Sequence, residues 1–256
     1  MQTRLSQVVL DGGEPSTNVR ALAACFAGVA AEFGNSEAMR FVGSGAFGIA
    51  HYKEYLRQVF HYVRENPQLL ATAAGYLRGK DRAVVDRFLK HALEEAGHEQ
   101  WALQDLAALG EETASIPFEN PLPETLALNA FAYYQITHRN PVAHLGYLYF
   151  LEFLPTSTGA SYLSTLQRIG VPKTATKFLR GHVAVDVHHN RLMQVYADEL
   201  IHDAADLAAV QFGMRATGRL YASLMRAAID AAESSVSRGV SWLEVNRGGR
   251  MPNAEA

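Results

Sequence analysis

Two histidine- and carboxylate-rich segments carry the chemistry legible in this chain. The first reads His182-Val-Ala-Val-Asp186-Val-His188-His189. Each residue of an α-helix turns about 100°, so positions four and seven after His182 lie within about 40° of it. His182, Asp186 and His189 therefore form one stripe of two imidazoles and a carboxylate, and His188 points elsewhere. That is the nitrogen and oxygen donor set that iron and manganese prefer. The plainer reading is a solvated face with a local His–Asp pair. It ranks second, because Val183, Val185 and Val187 leave no clean polar face and because a second cluster exists.

That second cluster is His91-Ala-Leu-Glu94-Glu95-Ala-Gly-His98-Glu99. Glu95 and His98 stand three apart, the Glu-x-x-His spacing of di-iron carboxylate bundles. Alone the spacing is weak, since helices are rich in glutamate. Glu94, four before His98, competes for the same role, and His91 lies on the same side, as a further ligand or as a donor orienting Glu95. A third element is Glu152, set in the apolar run Tyr147–Leu154 with no basic residue until Arg168. A carboxylate in such a run is costly to bury without a cation. A metal would supply one, so the metal ligands read from sequence are Glu95, His98, Glu152, His182, Asp186 and His189.

Helical periodicity dominates the elements that must position them. Helices are expected over residues 18–33, 47–65, 81–109, 123–138, 141–154, 173–202 and 204–242, with a short one from Pro67 to Arg78. Pro155 to Gly159 reads as a kink or short connection before a helix to Ile169. Gly213 or Gly218 is a place for the last helix to bend, and Gly181 a place for the ligand helix to flex. Residues 1–246 read as one all-α domain, and 247–256 as a disordered tail.

Composition fits that picture. The chain has 256 residues, 48 % hydrophobic and 19 % charged, with a formal net charge of −3. Nothing in it points to nucleic acid or a membrane as partner. One cysteine, Cys25, in an apolar run, fits a reducing cytoplasm and an inert core thiol.

Beyond single motifs, the chain resembles the heme-oxygenase-like diiron oxidases and oxygenases. Phe178-Leu179-Arg180-Gly181-His182-x3-Asp186-x2-His189 resembles that family's third ligand helix. Glu94-Glu95-x-Gly97-His98 is similar to its first ligand segment, with a short gap between Glu and His. Tyr55-Leu56-Arg57-Gln58-Val59-Phe60-His61-Tyr62-Val63 resembles an early helix of the wider superfamily. Glu152 falls where the family places its middle glutamate. The similarity spans roughly residues 45 to 205. It implies a single-domain bundle of about seven helices. It implies one iron held by Glu95, His98 and His182, and another by Glu152, Asp186 and His189, so Fe(II) at one or two per chain. It implies O₂ and a small organic substrate, such as an amino acid or fatty acid, as reactants. The reading leaves room for an electron donor and for a homodimer.

Two other classes compete. A ferritin-like carboxylate protein would want a further glutamate about thirty residues before Glu95, where Glu65 stands. A metal-free relative could be a cofactorless oxidase, a non-catalytic binding protein or a thiaminase-like hydrolase, and the last would need Cys25 as nucleophile. A haem protein would need one proximal histidine without the carboxylate shell. Phe60, Tyr62, Tyr133, Tyr134 and Tyr149 are candidate pocket walls, each with core packing as its plainer role. Arg215 and Arg219 could pair a substrate carboxylate if they faced inward, though a solvated surface role is the plainer one.

Overall fold

In the computed structural model, residues 14–80 and 82–247 are described, apart from the side chains of 184–188 and 236–247. All regular structure among them is helical: α1 Thr17–Gly34, α2 Glu37–Gly43, α3 Ile49–Val63, α4 Asn66–Tyr76, α5 Arg82–Glu95, α6 Glu99–Ala108, α7 Pro123–His138, α8 His144–Arg168, α9 Lys177–Leu200 and α10 Ala204–Arg247. The all-α expectation holds, with more segments than the seven or so expected. Among the described residues no helix is long and apolar enough to cross a membrane. The tail expected from Arg247 lies, from Gly248 onward, outside the described residues, as does Asp81, expected to cap the helix that follows it.

Local sequence explains most boundaries. Ser16 caps α1 by accepting from Val19 N, and the helix buries Val19, Leu22, Phe26, Val29 and Phe33 at spacings of three and four. Ser36 caps α2 in the same way, a short helix the periodicity had not revealed.

Two breaks differ from expectation. The single helix expected over 81–109 is divided, because Gly97 adopts a φ of 95°, a conformation open to glycine. The turn lets Glu95 end one helix while His98 begins the next, and both face inward. Conversely, α8 is continuous through Pro155, where a kink or a short connection was expected. A proline inside a helix removes one donor and strands carbonyls. The carbonyl that loses its helical donor is Leu151 O; in the turn that follows, Thr156 donates to Phe153 O at 3.0 Å, and Ser157 and Thr158 both donate to Leu154 O at 3.0 and 2.8 Å.

α8 packs against both α9 and α10, and α9 also packs on α5 and α6, so the three ligand-bearing segments share one interior. The α8–α10 crossing depends on glycine. A Cβ at Gly146 would strike the backbone of Val210 and Met214, and one at Gly213 the backbone of Ala143. Gly213 is thus a packing contact. Gly146→Ala forces two backbones apart and should cost about 1–3 kcal/mol, as overpacking does. Urea denaturation reads this as a lower midpoint at unchanged slope, and an unchanged midpoint would contradict the crossing.

The start of α9 is held from outside. Thr176 offers no side-chain cap. Instead, fully buried Asp105 of α6 accepts from Lys177 N at 2.7 Å and Phe178 N at 2.9 Å. These bonds satisfy two of the four orphan donors of a helix start. They also lock α9, which carries His182 and His189, to α6, whose first turn follows His98.

Candidate metal centre

Three segments deliver six ionisable side chains to one buried place. α5 and the Gly97 turn contribute His91, Glu95 and His98, α8 contributes Glu152, and α9 contributes His182 and His189. Their donor atoms fall into two groups, each within 4.8 Å: His91, Glu95, Glu152 and His189 in one, and Glu95, His98 and His182 in the other. Glu95 belongs to both. Five of the six residues expected from sequence are thus brought together. The sixth, Asp186, has its side chain outside the described residues. His91 joins them. Its position four before Glu95 and seven before His98 had placed it on the same helical side.

Between the two adjacent glutamates the structure distinguishes clearly. Glu95 is 2 % exposed, whereas the Glu94 side chain is 46 % exposed and reaches only the rim, 3.5 Å from His189 Nε2. Around Glu95 there is an orienting chain that sequence reading missed. Asn66 Nδ2 donates to Glu95 Oε2 at 3.2 Å, and Tyr147 OH donates to Asn66 Oδ1 at 3.0 Å. Asn66 precedes Pro67 and reads in sequence as a helix boundary, so nothing local marks it as a partner of Glu95. Trp101 stacks on His98 with centroids 4.2 Å apart and rings inclined by 24°. It also fills the space that a Cβ at Gly181 would need, so Gly181 makes room for the indole within a continuous α9.

The donor atoms look toward shared points more than toward one another. His91 is fully buried, and its Nε2 lies 3.3 Å from Glu152 Oε1, yet neither ring nitrogen makes a hydrogen bond. His98 Nδ1 and Glu95 Oε1 are 3.2 Å apart with both atoms again unbonded. Buried polar atoms left this way are expensive, and a cation among them would answer several at once. His189 Nδ1 does bond Glu152 Oε2, at 3.1 Å. His182 Nδ1 sits 3.0 Å from Phe178 O, the kind of second contact that fixes a ligand ring's orientation.

Without a metal, the site shares its protons between carboxylates and histidines: burial would lower His189, but Glu152, with Glu95 and Glu94, raises it above its ordinary value. Burial alone would push the Glu152 carboxyl up, but His189 and His91 outweigh it and hold the group far below the usual carboxylate range. Glu95 follows the same logic: burial pushes upward, and adjoining His98 together with the charge of His182 brings it below its ordinary value. His182 is lowered, mainly by burial, and so favours the neutral ligand form.

Above the site, His144 is buried with neither ring nitrogen bonded, and it stacks on Tyr147 at 5.2 Å. Burial, helped by the charge of His91, drives it down to about 3. The unfolded chain's histidine titrates near 6.5. Its contribution to stability is therefore whole above that pH and is lost as pH falls toward 3, because the unfolded state takes up the proton first. Compared with His144→Leu, the parent should lose relative stability steadily from pH 6.5 to 4 in denaturation curves. A constant difference would contradict a neutral buried imidazole.

A cavity of about 220 Å³ opens onto the cluster, with Glu95, Glu152 and His182 in its wall. Of the five aromatic residues expected as walls, Tyr62 lines it. Phe60 and Tyr149 are core, Tyr133 bonds Glu65, and Tyr134 is 52 % exposed. Beside Tyr62, the aromatic wall is made by Phe33, Tyr55, Tyr162, Phe178 and Tyr221. Arg215 and Arg219 do not face inward. Both are exposed, Arg215 beside Cys25 and Arg219 beside Glu32.

Comparison with known proteins agrees with this geometry. Among curated proteins none matches the sequence. Solved structures do share the fold. A domain of unknown function with a heme oxygenase-like fold from Shewanella denitrificans superposes with a TM-score of 0.75 at 24 % identity, over 84 % of this chain and 91 % of that one. A TenA homologue from Pseudomonas syringae pv. tomato gives 0.69 at 14 % identity, over 84 % and 94 %. A TenA homologue from P. horikoshii gives 0.68 at 12 % identity, over 84 % and 99 %. The same fold thus carries differently named proteins, and fold alone does not decide function. The family profile described as iron-containing redox enzyme matches residues 53–222, a span that holds every residue of the two clusters, and the chain belongs to that family.

Proposed function

We propose that this chain is a non-haem iron oxidase or oxygenase that uses O₂ to oxidise a small organic molecule. The observation that carries the reading is the pair of buried His/Glu groups sharing Glu95 beside an apolar cavity. In this proposal Glu95, His98 and His182 hold one iron. His91, Glu152 and His189 would hold the other, and Glu95 belongs to both donor groups. Asp186 keeps a place in the second set on its helical register, four after His182 and three before His189. Ferrous iron, when bound, supplies the centre at which O₂ is reduced.

The chain's own residues do the rest. Asn66, fixed by Tyr147, orients Glu95. Trp101 covers His98 and keeps water from that side. Glu152 and Glu95, both ionised, offset the charge of the metal in a place where bulk solvent does not. The Tyr-lined cavity holds the substrate within reach of the cluster and keeps water away from it.

Competing readings lose their particular support. Glu65, the further glutamate a ferritin-like site would want, bonds Tyr133 and stands outside both groups. Cys25, the nucleophile of a thiaminase-like hydrolase, lies against Gln211 O and Arg215, and is not in the cavity wall. Oxygen-electrode measurements on iron-reconstituted protein test the proposal. O₂ uptake should need iron and should rise at least severalfold with one class of small organic molecule. Uptake that is identical with and without every molecule tried, at full iron loading, would favour iron storage over substrate oxidation.

A further inference from the structure

Every residue of the two donor groups is 9 % exposed or less. A divalent ion in water must shed hydration to reach them. That step is costly until protein oxygens and nitrogens take the water's place. The way in therefore matters as much as the site.

Two sides of the molecule lead toward it. The cavity is one. Among its described lining residues the only carboxylates and imidazole are Glu95, Glu152 and His182, which are the destination. The rest of the wall is largely hydrocarbon, aromatic ring and hydroxyl, so a hydrated ion meets no opposite charge on the way. The other side carries Glu94. Its side chain is 46 % exposed, and its Oε2 lies 3.5 Å from His189 Nε2. The opposite nitrogen of the same ring points inward. His189 Nδ1 is 3.1 Å from Glu152 Oε2 and 3.6 Å from Glu95 Oε1. One imidazole thus spans the gap from a carboxylate in water to two buried carboxylates. Beside it lies His91, with ring centroids 4.3 Å apart and both His91 nitrogens without a hydrogen bond. Neither Glu94 nor His189 lines the cavity. Among the described residues no lysine or arginine is paired with Glu94, so its charge is left to a passing cation.

We propose that Glu94 is a transient metal site: a divalent cation is captured there and passes beside His189 into the group of His91, Glu95, Glu152 and His189. Metal then enters by a side of the molecule other than the cavity. This rests on the metal-binding reading above and adds a route and a residue to it. Glu94 holds the ion at the crossing and not at the end. A contact made only at the barrier changes rates and leaves the equilibrium where it was. Removing Glu94 therefore slows entry and exit by one common factor.

Stopped-flow absorption tests this with Co²⁺, which has the charge of Fe²⁺ and is visible when coordinated. Its entry is followed into metal-free, full-length protein at low salt, and its exit into excess chelator. Glu94→Ala and Glu94→Gln should each slow entry and exit alike, by about three- to tenfold, the size of a surface charge contact. Kd and final stoichiometry should not change. The slowing should fade at about 1 M salt, where the Debye length is about 3 Å. Glu32→Gln, which removes the same charge at a 61 % exposed side chain on α1, should leave both rates as they are. Native rates in the Glu94 variants overturn the inference. So does faster exit with a weaker Kd, which would make Glu94 a ligand or an orienting partner of His189 in the loaded site. Equal slowing in Glu32→Gln also overturns it, as an effect of net charge alone. Cobalt uptake needs no O₂. Loss of the capture role thus leaves the oxidation reading intact, and protein that takes up cobalt as expected but consumes no O₂ with iron leaves the capture role intact.

Discussion

Glu95→Ala should empty the site of iron, while Glu94→Ala should leave most of the iron in place. The two residues are neighbours in sequence and chemically identical, so the contrast isolates geometry. Glu95 is buried, belongs to both donor groups, and is gripped by Asn66. Removing it takes a ligand from each proposed metal position at once. Loss of an outer partner already costs about 10–100-fold in metal affinity, and loss of a shared ligand should exceed that range. The Glu94 carboxylate is half in solvent and touches only the His189 edge. Iron per chain, measured after desalting, reads the difference. The reverse pattern would show that the pair four apart, Glu94 and His98, supplies the ligands.

His91→Ala should lose one iron and keep the other. His91 groups with Glu152 and His189, and Glu95, His98 and His182 remain as a complete second set. The expected change is a drop of about one iron per chain and the disappearance of one of two spectral components. A residue that merely orients Glu152 would act more gently, weakening the same iron by about 10–100-fold without abolishing it at saturating metal. Metal titration separates the two cases, and nitrogen couplings in pulsed electron paramagnetic resonance report directly whether the imidazole is lost from the coordination sphere. Full iron content and an unchanged spectrum would remove His91 from the ligand set.

Much of this fold was legible because helical periodicity is local. The apolar spacing in α1 and α3, the proline opening α7 and the glycines and prolines between helices all act within one or two turns. The same locality explains the failures. Whether Gly97 continues a helix or turns depends on what its flanking side chains meet in three dimensions, and here two of them face the same buried centre. Pro155 reads as a kink or short connection, yet the helix continues through it to Arg168, held between α9 and α10. Within the site, His91, Glu95, His182 and His189 were visible because their spacings are helical, and His98 because its spacing to Glu95 survives the turn at Gly97. Asn66, Asp105 and Tyr162 were not. Each gains its meaning from a partner or a cavity formed by distant parts of the chain, and each looks ordinary among its sequence neighbours. The pocket aromatics were only partly legible for the same reason: Tyr134 and Tyr62 look alike in sequence, and only packing turns one outward and one inward.

The central claim is that these buried histidines and glutamates hold non-haem iron. Mössbauer spectroscopy on protein produced with ⁵⁷Fe, together with metal analysis of the same sample, tests it most directly. The predicted result is one to two irons per chain with the parameters of high-spin iron bound by nitrogen and oxygen. Protein that binds no iron when iron is supplied, or that binds haem stoichiometrically instead, would contradict it.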